Sequence, residues 1–359
     1  MIITGKNPLL YLFSLALTVH CSVLGLQAQI GGQSVYAFLK LDPTAYQASM
    51  SGPVISVLNT DLGTAFTNPA LLSEQHHNHV ALNYNNYFED ISYGLAAYSY
   101  TLDKDRERPI TLGAQLFYLD YGEFEGYDPT GAYTGNFYAS DLMLGFSASQ
   151  SYRSRFRYGG SIKWIYSVLE TYISNGFAFD LGGHYSDTSR NLSIGLTARN
   201  AGWQNVPYRT TERAALPFEV LLGVSKKLKH APFRGTLLIH NMQQFDLTYD
   251  YTDPLMQRFD EFNNPIDDGY NLFQKLARHV NLGLEILLSD QFNVRASYNP
   301  MRRSELGTAI RKGVAGFAWG ASFRTKKIIM EYGSAGFFPG YNSNVFTVNL
   351  LLDEFYRKS

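Results

Sequence analysis

The sequence predicts an all-β protein: a 14-stranded antiparallel transmembrane β-barrel preceded by a plug segment. Three observations predict it. Apolar residues recur at every second position through long segments, the segments number fourteen, and the connections between them sort by parity into short and long.

Composition agrees. Charged residues make up 17% of the 359 residues, against about 25% in ordinary soluble domains. Aromatics reach 15%, with 26 Tyr and 24 Phe beside 31 Gly. That mixture suits strands wetted on one side and apolar on the other. The formal net charge of -1 points to no nucleic-acid partner.

The first element, residues 1–28, reads as an export signal. Lys6 gives a basic start, and Leu9 to Leu26 is apolar apart from Ser14, Thr18, His20 and Ser22. Leu26-Gln27-Ala28 resembles a small-residue cleavage site, leaving Gln29 as the mature start. The single Cys, Cys21, lies inside this segment behind His20 rather than a small residue, which discounts lipidation. Beyond it no stretch approaches the length of a transmembrane helix. A membrane-spanning fold must then be a closed sheet, because lipid cannot satisfy exposed backbone groups.

Residues 29–78 form the second element. They alternate poorly and are expected to plug the lumen, which in a fourteen-stranded barrel is too wide for inward side chains to fill. Asn68, Pro69 and Ala70, just before the first long strand, are the candidate hatch motif.

The third element, residues 79–356, carries the alternation. Leu192, Ile194, Leu196 and Ala198 interleave with Ser193, Gly195, Thr197 and Arg199, and Val280, Leu282, Leu284 and Ile286 interleave with His279, Asn281, Gly283 and Glu285. Successive strand side chains face opposite sides, so each segment has one apolar and one small or polar face. A soluble sandwich would also alternate, but its strands are mostly about 5–6 residues. Here Lys163, Asp180, Arg199, Glu285 and Arg295 lie mid-strand on the polar face, as a wet lumen permits. Aromatics such as Phe146, Tyr152, Tyr166, Phe177, Tyr185 and Phe346 suit interfacial girdles.

The strands are placed at 79–88, 91–101, 109–119, 137–151, 156–169, 176–186 and 191–200. The second seven are 215–228, 233–249, 279–288, 291–299, 313–324, 327–333 and 344–356. Connections after even-numbered strands are short, as in Ser289-Asp290 and Thr325-Lys326. Those after the third and later odd-numbered strands are generally longer: 120–136, 201–214, 250–278, 300–312 and 334–343. Short periplasmic turns and long outer loops are the expected asymmetry of such barrels, and a sandwich has no reason to sort its loops this way.

Several motifs together carry a resemblance. Gly31-Gly32-Gln33-Ser34-Val35-Tyr36-Ala37-Phe38-Leu39, the stretch Asp61 to Leu72, and Leu82-Asn83-Tyr84-Asn85-Asn86-Tyr87 leading to Ile91-Ser92-Tyr93-Gly94 closely resemble the PorQ family of the type IX secretion system. That family is related at fold level to PorV and to FadL-type barrels, whose N-terminal hatch the Asn-Pro-Ala element also resembles. The matching motifs lie in residues 31–98. The chain departs at Thr44-Ala45-Tyr46 and then Ser51-Gly52, where the family has a small-Ala-Arg stretch running into paired glycines. The resemblance implies an outer-membrane location and a non-enzymatic role, anchoring a PorZ-like surface protein that works with PorU and PorV in a cargo attachment complex. The alternative is a FadL-like channel for hydrophobic small molecules.

Chemistry is sparse. His76-His77-x-His79 has no carboxylate or Cys at ligand spacing and reads as a solvated periplasmic turn. Asn263 to Gly269 fails the spacing of a calcium loop. His184, His240 and His279 fall on different strands and in no nucleophile motif. No catalytic residue, cofactor or metal is expected. The loop 250–278, with a helical turn at Leu272 to Ala277, is the candidate partner surface through Asp260, Phe262, Asp267 and Tyr270. Asn241 to Asp246 is a possible irregularity in the ninth strand.

Overall fold

Each alternating segment finds its neighbours in chain order, and the last pairs with the first. The structure is a computed structural model describing residues 34–59, 61–104, 107–209, 213–248, 271–306, 313–338 and 341–356; the expected export signal lies outside them. Seven strands form the first half: His79–Phe88 (β1), Ile91–Leu102 (β2), Ile110–Tyr127 (β3), Tyr133–Tyr152 (β4), Phe156–Leu169 (β5), Tyr172–Asp187 (β6) and Leu192–Val206 (β7). The second half is Glu219–Lys227 (β8), Phe233–Ile239 (β9), Val280–Leu287 (β10), Phe292–Tyr298 (β11), Phe317–Arg324 (β12), Ile328–Phe338 (β13) and Tyr341–Leu351 (β14). All pairings are antiparallel and the sheet closes as β1 meets β14, from His79↔Leu351 to Asn86↔Asn344. Closure leaves no unpaired edge within the ring.

The two faces of each strand separate as the alternation requires. Leu82, Leu112, Phe146, Leu181, Leu196, Leu284 and Phe346 are exposed on the outside, whereas Thr111, Ser147, Thr197, Asn281 and Thr347 are buried inside. An apolar outer belt over a polar interior is the arrangement of a transmembrane barrel.

The sequence reading needs correction at several strand ends. Residues 120–136, expected as a loop, are mostly strand: β3 has 18 residues and β4 has 20, paired as far as Tyr127↔Tyr133, and the loop is reduced to a tip where Asp128 Oδ1 accepts from Thr130 and Ala132 N–H at 2.8 and 2.9 Å. Above the belt both faces of this hairpin are wet, so alternation disappears while pairing continues. Phe124 stacks on Phe137 with centroids 5.2 Å apart. Much of the expected loop 334–343 likewise belongs to β13 and β14, with Ser334, Ala335 and Ser343 buried.

The ninth strand, expected to reach 249, stops at Ile239, and Asn241 follows at φ 53° in a turn. The expected irregularity is therefore the strand's end. The eighth starts at Glu219 because Pro217 has no N–H to give the ladder. The twelfth starts at Phe317, after Gly316 at φ 82°. The fourteenth ends at Leu351, and Asp353–Tyr356 forms a helical turn. The ring is consequently lopsided: β3 to β7 carry 18, 20, 14, 16 and 15 residues, and β8 to β12 only 9, 7, 8, 7 and 8.

Candidate functional site: the hatch seam and the outer cavity

Residues 34–59 and 61–78 lie in the lumen as a chain of single helical turns, the first entered through Tyr36 at φ 57° and others opened by a small polar cap. Thr44 Oγ1 accepts from Gln47 N–H at 3.3 Å before the turn Ala45–Ser49. Asp61 Oδ1 accepts from Gly63 N–H at 3.1 Å before Leu62–Ala65. Asn68 Oδ1 accepts from Ala70 N–H at 3.1 Å, and Pro69 takes the first helical position, where its missing N–H costs nothing. Such caps satisfy N–H groups that a one-turn helix leaves orphaned. Asn68 does more: its Nδ2 donates to Ile55 O at 2.8 Å and to Gly183 O of β6 at 3.3 Å. The candidate motif thus joins two parts of the plug to the barrel wall, with Asn68 and Ala70 fully buried.

Inward residues of the ring receive the plug group by group. Tyr36 Oη meets Ser174 Oγ at 2.5 Å, Ser56 Oγ meets Ser225 Oγ at 2.6 Å and Ser51 Oγ meets Ser297 Oγ at 2.7 Å. Ala45 N–H donates to Thr347 Oγ1 at 2.8 Å, and Arg157 bridges to Glu74 at 3.0 Å. Where the two backbones touch, the wall has glycine. A Cβ at Gly195 would lie 1.9 Å from Ile55 O, and one at Gly333 would lie 2.3 Å from Ala45 O.

The mid-strand charges expected in a wet lumen are instead buried pairs: Lys163–Asp180 at 2.6 Å, Arg199–Glu219 at 2.6 Å, Arg234–Glu285 at 3.0 Å and Arg295–Glu331 at 2.9 Å. Three of these pairs join neighbouring strands and Arg295–Glu331 reaches over β12, because dehydrated single charges are too costly. The Arg295 guanidinium also lies 4.3 Å from the centroid of the Tyr46 ring.

The histidine cluster is a second correction. His76 is 1% exposed and His79 5%, so the pair is not a solvated turn. His76 Nδ1 accepts from Ser73 N–H at 3.1 Å, and its Nε2 lies 2.9 Å from Asn59 O. Burial, then the charges of neighbouring His79 and Arg157, hold the His76 pKa down at about 3. His76 and His79 touch edge to face and act as packing at the inner end of the plug. Among the described residues no group of three or more His, Cys, Asp or Glu could hold a metal.

At the outer end a cavity of about 210 Å³ lies between the plug and β1, β2, β13 and β14. Leu41, Tyr87, Tyr93 and Phe337 line it together with Lys40 and Arg302. Asn299 Oδ1 accepts from Arg302 N–H at 2.9 Å, seating the helix Pro300–Leu306 that aims this side chain inward. The Arg302 guanidinium lies 4.3 Å from the Phe337 ring centroid and pairs with Asp42 at 3.5 Å. Its buried Nη1 finds no hydrogen-bond partner among the described residues. Burial raises the Asp42 pKa, against the opposing pull of Arg302. Leu41 continues from this cavity into a smaller one of about 40 Å³, lined by Phe38, Phe66, Phe117 and Met143 and by the paired Lys163 and Arg199.

Sequence reasoning missed Arg302, Lys40 and the two tyrosines because they converge from the plug, two strands and an outer loop. The only signal was the helix-opening Asn299-Pro300. The candidate partner residues Asp260, Phe262, Asp267 and Tyr270 lie outside the described residues. The expected helical turn at Leu272–Ala277 is present.

Fold and site together define a plugged fourteen-stranded barrel with an outward-facing cavity. No protein-family model and no curated protein sequence matches the chain. Among solved structures it is similar to the Pseudomonas putida toluene transporter TodX, with a TM-score of 0.50 and 12% identity over 86% of this chain and 97% of that one. A TodX deltaS2 mutant gives 0.51 and 12%, over 86% of this chain and 98% of that one. The CymD monoaromatic hydrocarbon channel gives 0.50 and 12%, over 88% and 97%. At such identity the likeness shows a shared fold.

Proposed function

We propose that the protein is a non-enzymatic outer-membrane barrel that receives small hydrophobic molecules at the cell surface. The observation that carries the reading is the outer cavity, where Leu41, Tyr87, Tyr93 and Phe337 stand beside Lys40, Asp42 and Arg302, whose Nη1 has no hydrogen-bond partner among the described residues. Apolar walls with a few placed polar groups are what a small-molecule site requires. The lining suits an apolar body with one anionic end. The fold shared with a toluene transporter and a monoaromatic hydrocarbon channel supports the reading. Onward passage past the plug would break wall contacts such as Ser56–Ser225 and Ser51–Ser297. Titration of the detergent-purified barrel with a fluorescent long-chain fatty acid should show saturable binding, weakened about tenfold in Arg302→Ala, the loss typical of one charge-assisted contact. Absence of saturable binding, together with growth on long-chain fatty acids that does not depend on the gene, would reject it.

A second reading is favoured by the projecting β3–β4 hairpin. Among the described residues the β3–β2 ladder ends at Asp120, and the β4–β5 side ends where Glu170 N–H donates to Tyr138 O, leaving β4 before Tyr138 without a ladder partner there. Two free edges carrying exposed Phe124, Tyr127, Tyr133 and Tyr138 suit strand addition by a partner. This supports the anchoring role that the PorQ-like motifs imply, with a PorZ-like surface protein as partner and PorU and PorV in the same complex. A pulldown from detergent extract should recover a cargo-processing surface protein, and recovery should fail when residues 121–138 are replaced by a tight turn.

A further inference from the structure

A tilted strand needs about 9–11 residues to cross the hydrocarbon core. The strands β9 to β12, with 7, 8, 7 and 8 residues, fall short of this. Their inner ends are flush with tight turns, so the missing height is at the outer end. There the wall is continued by irregular chain. Met242 N–H donates to Val220 O at 3.1 Å, extending the sheet beside β8, and Gln243 Nε2 donates to Phe218 O at 3.1 Å. The helix Leu272–Ala277 follows over β10, tied to this segment by Lys275–Asp246 at 2.5 Å.

The side chains on this rim are apolar and uncovered. Phe273 is 78% exposed, Phe245 63% and Leu272 62%, and Met242, Leu276 and Val314 are also exposed. Leu272, Phe273 and Leu276 occupy one side of the helix, and no residue of that helix is buried. Phe218, whose carbonyl Gln243 holds, and Leu282 and Leu284 of β10, which begins three residues after the helix, are exposed as well.

We infer that this rim is immersed in the outward-facing lipid leaflet, where the helix and the 242–245 segment supply the apolar height that β9 to β12 lack. Continuity with the barrel's belt selects lipid over a protein partner. Amphipathic helices lie at an interface in this way, with the apolar face among acyl chains and charges such as Lys275 toward the headgroups. The inference rests on the reading that the barrel spans a membrane, and the test separates the two.

An environment-sensitive fluorophore is attached to Phe273→Cys, Phe245→Cys, Leu284→Cys or Asn136→Cys in a Cys21→Ser background, and each protein is reconstituted into phospholipid vesicles. Leu284 reports the belt and Asn136 the aqueous hairpin. A doxyl-labelled phospholipid should quench the labels at 273 and 245 as strongly as that at 284, with blue-shifted emission and little loss to iodide. Iodide quenching at 273 and 245 equal to that at 136, while 284 stays lipid-quenched, overturns the rim assignment alone. Protection of 273 and 245 from both quenchers also overturns it, since protein then covers the helix. Iodide quenching at 284 as well would bring down the membrane reading itself.

Discussion

Arg295 and His76 show how strongly single groups hold the plug. Arg295 is 1% exposed and serves Glu331, Tyr46 and Ser49 together. Arg295→Met removes the cation and leaves Glu331 buried among its neighbours. A loss of about 3–5 kcal/mol is expected, the usual cost of stranding one member of a buried pair. It would be read as a lower temperature of conversion from the folded to the unfolded gel band, and Glu331→Leu in the same chain should restore most of it. His76 sets a pH dependence. Its ordinary value of 6.5 applies to the unfolded chain, whereas in place it stays neutral until about pH 3. The unfolded form therefore binds the extra proton across that window, and plug stability falls as pH drops from 6.5 toward 3. Bilayer recordings should show a closed barrel at pH 7 and opening steps near pH 4, with a weaker pH response in His76→Gln.

Among the elements, the wall glycines and the tall hairpin separate sealing from folding. Gly195→Val puts a side chain into Ile55 O, so the plug must lift from β7. The expected cost is about 1–3 kcal/mol, typical of overpacking, and it should appear as conductance at neutral pH while heat-modifiability of the ring persists. Deleting residues 123–137 removes no buried side chain, because Tyr121, which packs on the core and donates to Asp141, is kept, so the unfolding temperature should hardly change. The same contrast explains what the sequence revealed. Leu192 to Arg199 and Val280 to Ile286 alternate because lipid lies on one side and the plug on the other, so these strands were legible. Phe124 and Phe137 have water on both sides, and their pairing left no period to read. The caps Thr44, Asp61 and Asn68 were visible as residue types, but only tertiary burial decides that such short turns form at all.

As a whole, the molecule resists reduction to local pattern. The outer cavity draws on Lys40, Tyr93, Arg302 and Phe337, residues from four separate parts of the chain, and no local motif announces such a meeting. The charge pairs were half legible: Lys163, Asp180, Arg199, Glu285 and Arg295 stood out as inward, but their partners depend on register. At this scale the closed ring predicts that unboiled protein in detergent migrates apart from boiled protein, and identical migration would contradict closure. One further consequence follows from where the plug's handholds are. Ala45 is clasped by Thr347 and backed by Gly333, and Leu62 N–H reaches Asn349 at 3.3 Å. The plug must thus wait for the strand that closes the ring. Corking the hoop and welding its ends become one event, and a chain cut short before residue 341 should be left with its stopper adrift. Arrest of assembly at that stage would be seen as a protease-sensitive N-terminal segment on an otherwise membrane-bound intermediate.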